Sequence, residues 1–360
     1  MGENPTVKII DRYIGRTVAL GILMSLGVIL GLLVLFTFID ELDDVGDGQY
    51  GVLQAFAFAL LSIPRFVFEA FPASALIGSL IGLGGLASHS ELTAMRAAGV
   101  SVRQILFAIL KAGLPMMAVV IVLGEWVAPP VQDYANRMRM ASQHEQVTLR
   151  SRYGFWARDG DAFINIRQIL PGQGLRELYL YEFDEHRELR LVTLAERADF
   201  VDGGWVLHGL RQAALKPDGV QVRTLEQARW DSLLSPSLLK AVVADPSLLS
   251  AWTLYQYLEF MQQNGLHVPA YEVAFWSKVV APIATLVMLF LGVPFVFGNL
   301  RSVGVGQRVF VGVLIGTLFF MLNRGLAYAA VVYDFNPLVA ATLPALLFMA
   351  AGAVFLRRVR

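Results

Sequence analysis

Several charged residues interrupt stretches of the chain that are otherwise almost wholly apolar. Arg65 and Glu69 lie four residues apart in one stretch, Arg324 interrupts another, and Glu125 and Lys278 lie near the ends of two more. A charged side chain at the centre of a bilayer costs roughly 2.5–3.5 kcal/mol on insertion scales, whereas an i, i+4 ion pair returns only ~0.2–0.5 kcal/mol. Two interpretations therefore stay open: these residues lie at the membrane interface, or they face a wet cavity that suits an anionic amphiphile.

A second polar segment, residues 88–99, predicts a short independent helix between two apolar stretches. Ser88 and Glu91 match the S-x-x-E capping box, in which each side chain binds a backbone N–H group at the start of a helix. Gly99 is a typical helix stop. The segment is therefore expected to form a helix of its own.

The apolar residues of this segment offer two interpretations. Leu92 and Met95 lie three residues apart and so share one helix face. The segment is either an ordinary linker helix or a docking helix, whose apolar stripe enters a groove of a cytosolic partner. In the second case the charges of Glu91 and Arg96 would set its register.

The sequence lacks the common motifs for nucleotide binding and hydrolysis. No Lys follows a Gly, which excludes a Walker A loop, and H-E-x-x-H and G-x-S-x-G are both absent. There is no Cys, and a net charge of zero gives no field that would favour nucleic acid as a partner. We therefore expect a noncatalytic chain without a cofactor of its own, which would draw energy from a partner or from an ion gradient.

The elements that must position these residues are membrane helices. The chain of 360 residues is 56% hydrophobic and 16% charged, which is typical of an integral membrane protein. Each of six apolar stretches is long enough to cross ~30 Å of hydrocarbon. They cover residues 17–39, 52–87, 105–128, 279–300, 309–333 and 335–356. Pro64 and Pro72 are expected to bend the second stretch, and Pro129 with Pro130 to end the third.

Basic and acidic residues fall on opposite sides of these stretches. Lys8, Arg12 and Arg16 precede the first stretch, acidic residues dominate 40–47 after it, and Arg357, Arg358 and Arg360 follow the last. The positive-inside rule then places both termini in the cytoplasm and the acidic loop outside.

Residues 131–268 differ in composition from the rest and are predicted to form an all-β domain outside the membrane. Short runs alternate apolar and polar residues, and turn pairs such as Asp159-Gly160 and Pro171-Gly172 separate them. This pattern indicates an antiparallel sandwich or open barrel. The domain would be inserted between residues 1–130, with spans one to three, and residues 269–360, with spans four to six.

Small residues recur every fourth position in three spans. Ser74, Gly78 and Gly82 form the longest series, and the pairs Gly27/Gly31 and Gly312/Gly316 repeat its spacing. Such series let helices approach closely. We favour packing against helices of the same chain, although one face could serve a partner permease.

Five motifs distributed along the chain resemble the permeases of the lipopolysaccharide export ABC transporter, the LptF/LptG family. They are residues 10–15 (IDRYIG), 90–99 (SEL through Gly99), 124–129 (GEWVAP), 276–278 (WSK) and 297–308 (FG, LRS and GQR). The last motif is more similar to the LptG branch than to the LptF branch.

This resemblance implies a fold and a set of partners. The fold would be an α-helical integral membrane protein with six transmembrane helices and an inserted, β-jellyroll-like periplasmic domain, in the inner membrane of a Gram-negative bacterium. The chain would extract lipopolysaccharide from the outer leaflet and pass it to a periplasmic jellyroll bridge. Its partners would be an LptF-like permease, two LptB-like ATPases that use ATP and Mg, an LptC-like single-span protein and an LptA-like bridge, besides membrane lipid.

The resemblance also implies two sets of site residues. Those that couple the chain to the ATPase would be Ser88, Glu91, Leu92, Met95 and Arg96. Arg65 and Arg139, with Arg137 nearby, fall where basic residues meet the phosphates of lipid A and its sugars, and Arg324 completes the predicted substrate path.

One departure from the family pattern concerns the outer end of span one. Related chains carry Lys there, whereas this sequence has Thr37, Asp43 and Asp44. Bridging divalent cations, or recognition shifted to Arg65 and Arg139, would compensate.

The alternative functions are an LptF-type subunit, an ion-coupled secondary transporter of an anionic amphiphile, and a membrane-anchored scaffold. Against the secondary transporter stands the lack of a clear internal repeat with paired broken helices.

Overall fold

In a computed structural model of the chain, the described residues are 5–143, 155–159, 162–170, 174–184, 188–201, 204–216, 219–230, 245–263, 267–297 and 303–358. The helices are α1 (Pro5–Leu42), α2 (Val52–Leu61), α3 (Ile63–Ser88), α4 (Glu91–Ala97), α5 (Val102–Val122), α6 (Ala128–Ser142), α7 (Ala251–Gln263), α8 (Pro269–Phe297), α9 (Val305–Val332) and α10 (Pro337–Arg358). A π-helical turn, Leu123–Val127, joins α5 to α6, and a 3₁₀ turn, Pro246–Leu248, precedes α7.

Six helical segments are long and apolar enough to span a membrane, which confirms the predicted class. They are α1, α3, the continuous segment α5–π turn–α6, α8, α9 and α10. A bend is expected at each of the two prolines of the second stretch, and the described helices are interrupted only just before Pro64. The chain breaks at Ser62, and Pro64 then occupies the first turn of α3, where its missing N–H group costs nothing. Pro72 lies inside α3.

The third span is longer than predicted. Pro129 and Pro130 do not end the helix, because they fall in the first turn of α6, where a proline needs no hydrogen-bond partner. The helix continues to Ser142, beyond the expected boundary at residue 130. At 1.5 Å per residue the segment from Val102 to Ser142 is roughly 60 Å long, about twice the hydrocarbon thickness.

α3 lies at the centre of the helical bundle, against α1, α8 and α9. Its small-residue series explains the contact with α1, since a Cβ on Gly78 would overlap the backbone of Ile22, and one on Gly82 would lie 2.9 Å from the Val18 Cα. Gly312 likewise faces Ile77 and Leu80 of α3. The favoured interpretation, packing within the chain, is confirmed for these glycines. It is wrong for Gly27 and Gly31, where an added Cβ would meet no atom of another helix within 4 Å.

The inserted domain is built on one antiparallel sheet of six strands. They are β1 (Phe155–Asp159), β2 (Ala162–Leu170), β3 (Gly174–Phe183), β4 (Leu189–Val201), β5 (Gly204–Lys216) and β6 (Gly219–Trp230), paired in chain order. The turn residues 160–161, 171–173, 202–203 and 217–218 fall between these strands and lie outside the described residues. The described strands thus form an up-and-down sheet, and no crossover of the kind a jelly roll requires is found among them.

This sheet is folded along a crease that crosses five strands. Pairing is interrupted at one residue of each strand, in the line Arg167, Glu177, Glu196, Gly209 and Glu226. Inward-facing residues on either side of the crease are three apart instead of two, as in Leu175 and Leu178 of β3 and Leu207 and Leu210 of β5. Glu177 and Gly209 have positive φ, so the bend is built into the backbone. The crease curves the sheet around its own apolar core.

Helix α7 completes that core. Its residues Tyr257, Phe260 and Met261 are buried in the same cluster as Leu178 and Trp205 of the sheet. Burial raises the pKa of the Tyr257 phenol, which therefore stays protonated at neutral pH. Since α8 follows directly, α7 is the link between the sheet and the membrane helices.

The ends of the spans define two sides of the bundle. The sheet side is where α1 ends, α3 and α8 begin, and α6 leads into the β domain. The α4 side is the opposite one, where α3 ends, α4 lies and α5 begins. These two names are used below.

Candidate substrate cavity and coupling region

A cavity of about 580 Å³ opens among α3, α8 and α9 on the sheet side. The 3₁₀ turn Pro246–Leu248, which leads into α7, forms part of its wall. Most of the lining is apolar and includes Phe68, Pro72, Val273, Ala281, Phe319 and Phe320. A cavity of this volume between spans has room for part of an apolar chain and for a few polar contacts.

Three of the charged residues singled out from the sequence meet in one cluster at this cavity. Arg65 Nε donates to Glu69 Oε1 at 2.8 Å, and Arg324 Nη2 lies 3.8 Å from Glu69 Oε2. Arg324 also lies over the ring of Phe320. Its Cζ is 5.6 Å from the ring centroid, within the ~6 Å of a cation–π contact. Glu69 therefore connects α3 to α9, and both arginines face the cavity, as the cavity interpretation requires.

Two further charges form a second pair, of which Lys278 lines the cavity. Lys278 Nζ lies 3.7 Å from Glu125 Oε1, and the other oxygen of Glu125 accepts a hydrogen bond from the backbone N–H of Ala251 at 2.7 Å. Glu125 sits in the π-helical turn, whose geometry turns it toward α7 and α8. The sequence showed these two residues but not that they pair.

The cavity therefore combines apolar walls with three cations. Arg65, Arg324 and Lys278 carry positive charge, while Glu69 and Glu125 balance two of the three. Asp245 also lines the cavity, but its carboxylate caps the 3₁₀ turn by accepting from Ser247 N–H. Such an arrangement suits a molecule with acyl chains and an anionic headgroup.

Arg139 lies outside this cavity and lines a separate polar pocket with Asp44 and Asn136, so its place in the substrate path stays a prediction. Its guanidinium binds Asp44 and lies 3.2 Å from Glu41, a residue only 6% exposed. Tyr50 donates to the same Glu41 at 2.6 Å, and burial together with this bond raises the pKa of the phenol. The positive charge of Arg139 is thus balanced by Glu41 and by Asp44, one of the acidic residues that depart from the family pattern. These contacts join α6 to the end of α1.

Arg137 lies on the exposed side of α6. Its Nη2 contacts Asp133 at 2.7 Å in an i, i+4 pair, and both side chains are more than half exposed. It does not line the cavity. No group of three or more His, Cys, Asp or Glu that could hold a metal ion occurs among the described residues, and the expected bridging of phosphates by divalent cations stays a prediction.

On the α4 side, the predicted capping box is wrong. Ser88 is the last residue of α3, and its hydroxyl donates to the Gly85 carbonyl. The residue before α4 is Ser90, in a left-handed conformation with φ of 62°, and its side chain makes no capping bond. The helix therefore covers residues 91–97 instead of 88–99, while Gly99, with φ of 91°, ends the segment as predicted.

The apolar stripe of α4 packs inside the chain. Leu92 is 3% exposed and belongs to the core of the bundle, and Met95 packs against the same core. Leu92 is therefore not available for a partner's groove, whereas Met95 is only partly buried. Thr93, Ala94 and Arg96 form the exposed surface instead.

Glu91 has a partner that the sequence did not reveal. Tyr13 of α1 donates its hydroxyl to Glu91 Oε2 at 2.8 Å. This bond ties α4 to the first span while it leaves the carboxylate at the surface. Glu91 thus remains a candidate for contact with another protein.

Arg308 has a structural role that the sequence did not reveal, since it was noted there only as part of the 297–308 motif. It lies in the first turn of α9, is 1% exposed, and donates to the Gly84 carbonyl near the end of α3. A cation there is favoured by the C-terminal end of the α3 dipole. Its long separation from Gly84 in sequence concealed the contact. Gly298 and Arg301 of the same motif lie outside the described residues.

Taken together, six spans, an inserted β domain and a charged, apolar-walled cavity define a polytopic membrane protein of the transport class. The sequence profile of the lipopolysaccharide export system permeases LptF/LptG matches residues 12–358. The chain belongs to this family, and is accordingly a multi-pass inner-membrane protein.

Two similar relatives are named lipopolysaccharide export system permease protein LptG. The one from Haemophilus influenzae is 33% identical over 345 residues, covering 95% of this chain and 96% of the relative. The one from Escherichia coli K12 is 33% identical over 353 residues, covering 97% and 98%.

Proposed function

We propose that this chain is an LptG-type, noncatalytic subunit of an ABC transporter that takes lipopolysaccharide from the outer leaflet of the inner membrane. The cavity carries the proposal, because its apolar walls suit acyl chains and its cations suit the phosphates of lipid A. Those cations lie toward the sheet side, next to the β domain that would receive the lipid.

The orientation that this function requires has the sheet side facing the periplasm. The basic residues Arg12, Arg16 and Arg357 then lie on the cytoplasmic side, and the acidic loop 40–47 lies outside, in agreement with the positive-inside rule. Alkaline phosphatase fused after residue 217, between β5 and β6, should be active. The same fusion after Gly99 should be inactive, and the reverse result would contradict the orientation.

The remaining subunits are proposed from family membership. An LptF-like permease would pair with this chain, two LptB-like ATPases using ATP and Mg would bind on the α4 side, and LptC-like and LptA-like proteins would continue the path. Both α1 and α9 expose apolar faces along their length, for example at Leu23, Val28, Leu314 and Leu318. These faces must contact either lipid or another helix.

A direct test is to measure lipopolysaccharide retained by the purified complex. Arg65→Gln removes a cavity cation, and Arg137→Gln is the matched control, because Arg137 also has an acidic partner four residues away but lies off the cavity. A charge-assisted bond to phosphate is worth about 1.5–3 kcal/mol, so Arg65→Gln should weaken lipopolysaccharide binding at least tenfold. Arg137→Gln should leave it unchanged.

Two outcomes would contradict the proposal. If Arg65→Gln retained normal lipopolysaccharide but lost its partners, the arginine would be structural. If the wild-type chain, isolated gently in detergent, brought down neither lipopolysaccharide nor a soluble ATPase detectable by mass spectrometry, the export function itself would fall.

A further inference from the structure

Lys278 is the most enclosed of the three cavity cations. Its side chain is 11% exposed, compared with 31% for Arg65 and 56% for Arg324. It lies roughly 14 Å along α8 from the first residue of that helix, at 1.5 Å per residue. An anionic group that entered the cavity fully would therefore meet this ammonium.

The ammonium of Lys278 also has spare hydrogen-bonding capacity. It carries three N–H donors. Its neighbours are Glu125 Oε1 at 3.7 Å, which is beyond hydrogen-bond distance, and the ring of Phe68 at 5.5 Å. Within the part of the chain that the structure describes, Nζ makes no hydrogen bond shorter than 3.5 Å. Arg65, by contrast, already donates to Glu69 at 2.8 Å.

Glu125 is shared between this lysine and the β domain. Its second oxygen binds the N–H of Ala251, the first residue of α7, where a carboxylate is favoured by the helix dipole. The buried face of α7 lies in the core of the sheet through Tyr257 and Phe260. One carboxylate thus contacts both the wall of the cavity and the helix that carries the sheet.

We propose that Lys278 and Glu125 form a switchable ion pair that reports occupation of the cavity to the β domain. The inference rests on the proposed function. A phosphate of the lipid headgroup binds the Lys278 ammonium and brings negative charge close to Glu125. Repulsion then moves the Glu125 carboxylate away, which releases the N–H of Ala251 and frees the start of α7.

The first test addresses binding to Lys278, with purified lipopolysaccharide titrated onto the assembled complex. Lys278→Gln should lower the affinity at least about tenfold, and Lys278→Arg should restore most of it. Lys278→Gln leaves the carboxylate of Glu125 without its partner, which could disturb the fold. The double variant Lys278→Gln/Glu125→Gln removes both charges, and its affinity for lipopolysaccharide should fall by the same factor. Lys111→Gln is the control, since Lys111 pairs with Asp11 away from the cavity. Unchanged affinity in the double variant would overturn the proposal.

The second test addresses movement of α7. The chain has no cysteine, so spin labels can be placed at Gln256→Cys on the exposed face of α7 and at Arg103→Cys on α5. With cysteine-free partner subunits, lipopolysaccharide should shift the distance between the labels, and the double variant should show no shift even when saturated. A shift that persisted in the double variant, or no shift in the wild-type background, would overturn the relay.

A further arm separates lipopolysaccharide from other anionic lipids. Phosphatidylglycerol carries a phosphate as well but should need a higher concentration to shift the labels. An equal response would assign the pair to phospholipid and overturn the proposal. If the wild-type complex bound no lipopolysaccharide at all, the proposed function itself would be contradicted. The titration detects this outcome without the spin labels.

Discussion

The two sides of the helical bundle use their charged residues differently. On the sheet side, Arg324 and Lys278 lie 3.7–3.8 Å from their carboxylate partners and face open space in a cavity. On the α4 side, Arg308 is fully enclosed and bound to a backbone carbonyl, and Tyr13 holds Glu91 by a direct bond of 2.8 Å. Loosely paired charges can exchange partners with a ligand, whereas tightly bound ones hold helices together.

This difference indicates a division of roles within one chain. On the sheet side, the loosely paired cations of the cavity would be open to an anionic ligand under the proposed function. On the α4 side, Arg308 joins α9 to α3, and Tyr13 joins α1 to α4. Two sheet-side arginines are exceptions: Arg139 is bound into a cluster with Glu41, Asp44 and Tyr50, and Arg65 donates to Glu69 at 2.8 Å. The following predictions test the comparison, beginning with the largest expected effect.

The largest effect is expected at Arg308. Arg308→Ala removes a buried side chain and its bond to the Gly84 carbonyl, and it leaves a void between α3 and α9. We expect the free energy of unfolding to fall by roughly 3–5 kcal/mol, because the change leaves both a cavity and a buried carbonyl without its donor. Denaturation of the purified complex in detergent would measure it, with the exposed Arg103→Ala as control. Equal stability of the two variants would show that the α4 side is not held rigidly by this residue.

The next effect is expected at Arg139. Arg139→Gln leaves Glu41 and Asp44 without their shared cation, and should lower stability by roughly 1–3 kcal/mol, less than at Arg308 because Arg139 is a third exposed. Arg137→Gln, two residues away, should change stability by less than about 0.5 kcal/mol, since exposed pairs contribute little. Both are measured as denaturation midpoints. If the Arg139→Gln complex were stable but retained no lipopolysaccharide, Arg139 would contribute to substrate binding and not to stability.

A smaller effect on stability but a clear one on transport is expected at Glu91. Glu91→Gln can still accept the bond from Tyr13, so folding should be retained. It cannot pair with a cation on the ATPase, so transport should fall several-fold. A charge-reversed ATPase residue combined with Glu91→Lys should restore part of the rate. Wild-type transport by Glu91→Gln would mean that coupling lies elsewhere on the exposed surface of α4.

The smallest effect is expected at Ser88. Because its hydroxyl only donates to Gly85 within α3, Ser88→Ala should change stability by less than about 0.5 kcal/mol and leave transport unchanged. A true N-cap would cost about 1 kcal/mol on the same change. A loss of that size, measured in the same denaturation assay, would favour the capping box that the sequence suggested.

The sequence by itself determined the six spans, the inserted β domain and the end of the α4 segment at Gly99. Each depends on local properties: the length of an apolar run, the alternation of residues in strands, and the freedom of glycine to adopt positive φ. It also singled out Arg65, Glu69, Arg324, Glu125 and Lys278, because a charge in an apolar run is visible without any neighbour. It could not show their partners.

Only the tertiary structure decided which charges pair and which faces are buried. Arg139 meets Glu41 and Asp44 from the end of α1, Arg308 meets Gly84, and Glu125 meets Lys278 and Ala251, all across separations that no local pattern encodes. The stripe of Leu92 and Met95 has the same spacing whether it faces a partner or the chain's own core. The free energy of each contact depends on the distance and burial of both groups, and these are set when distant segments pack together.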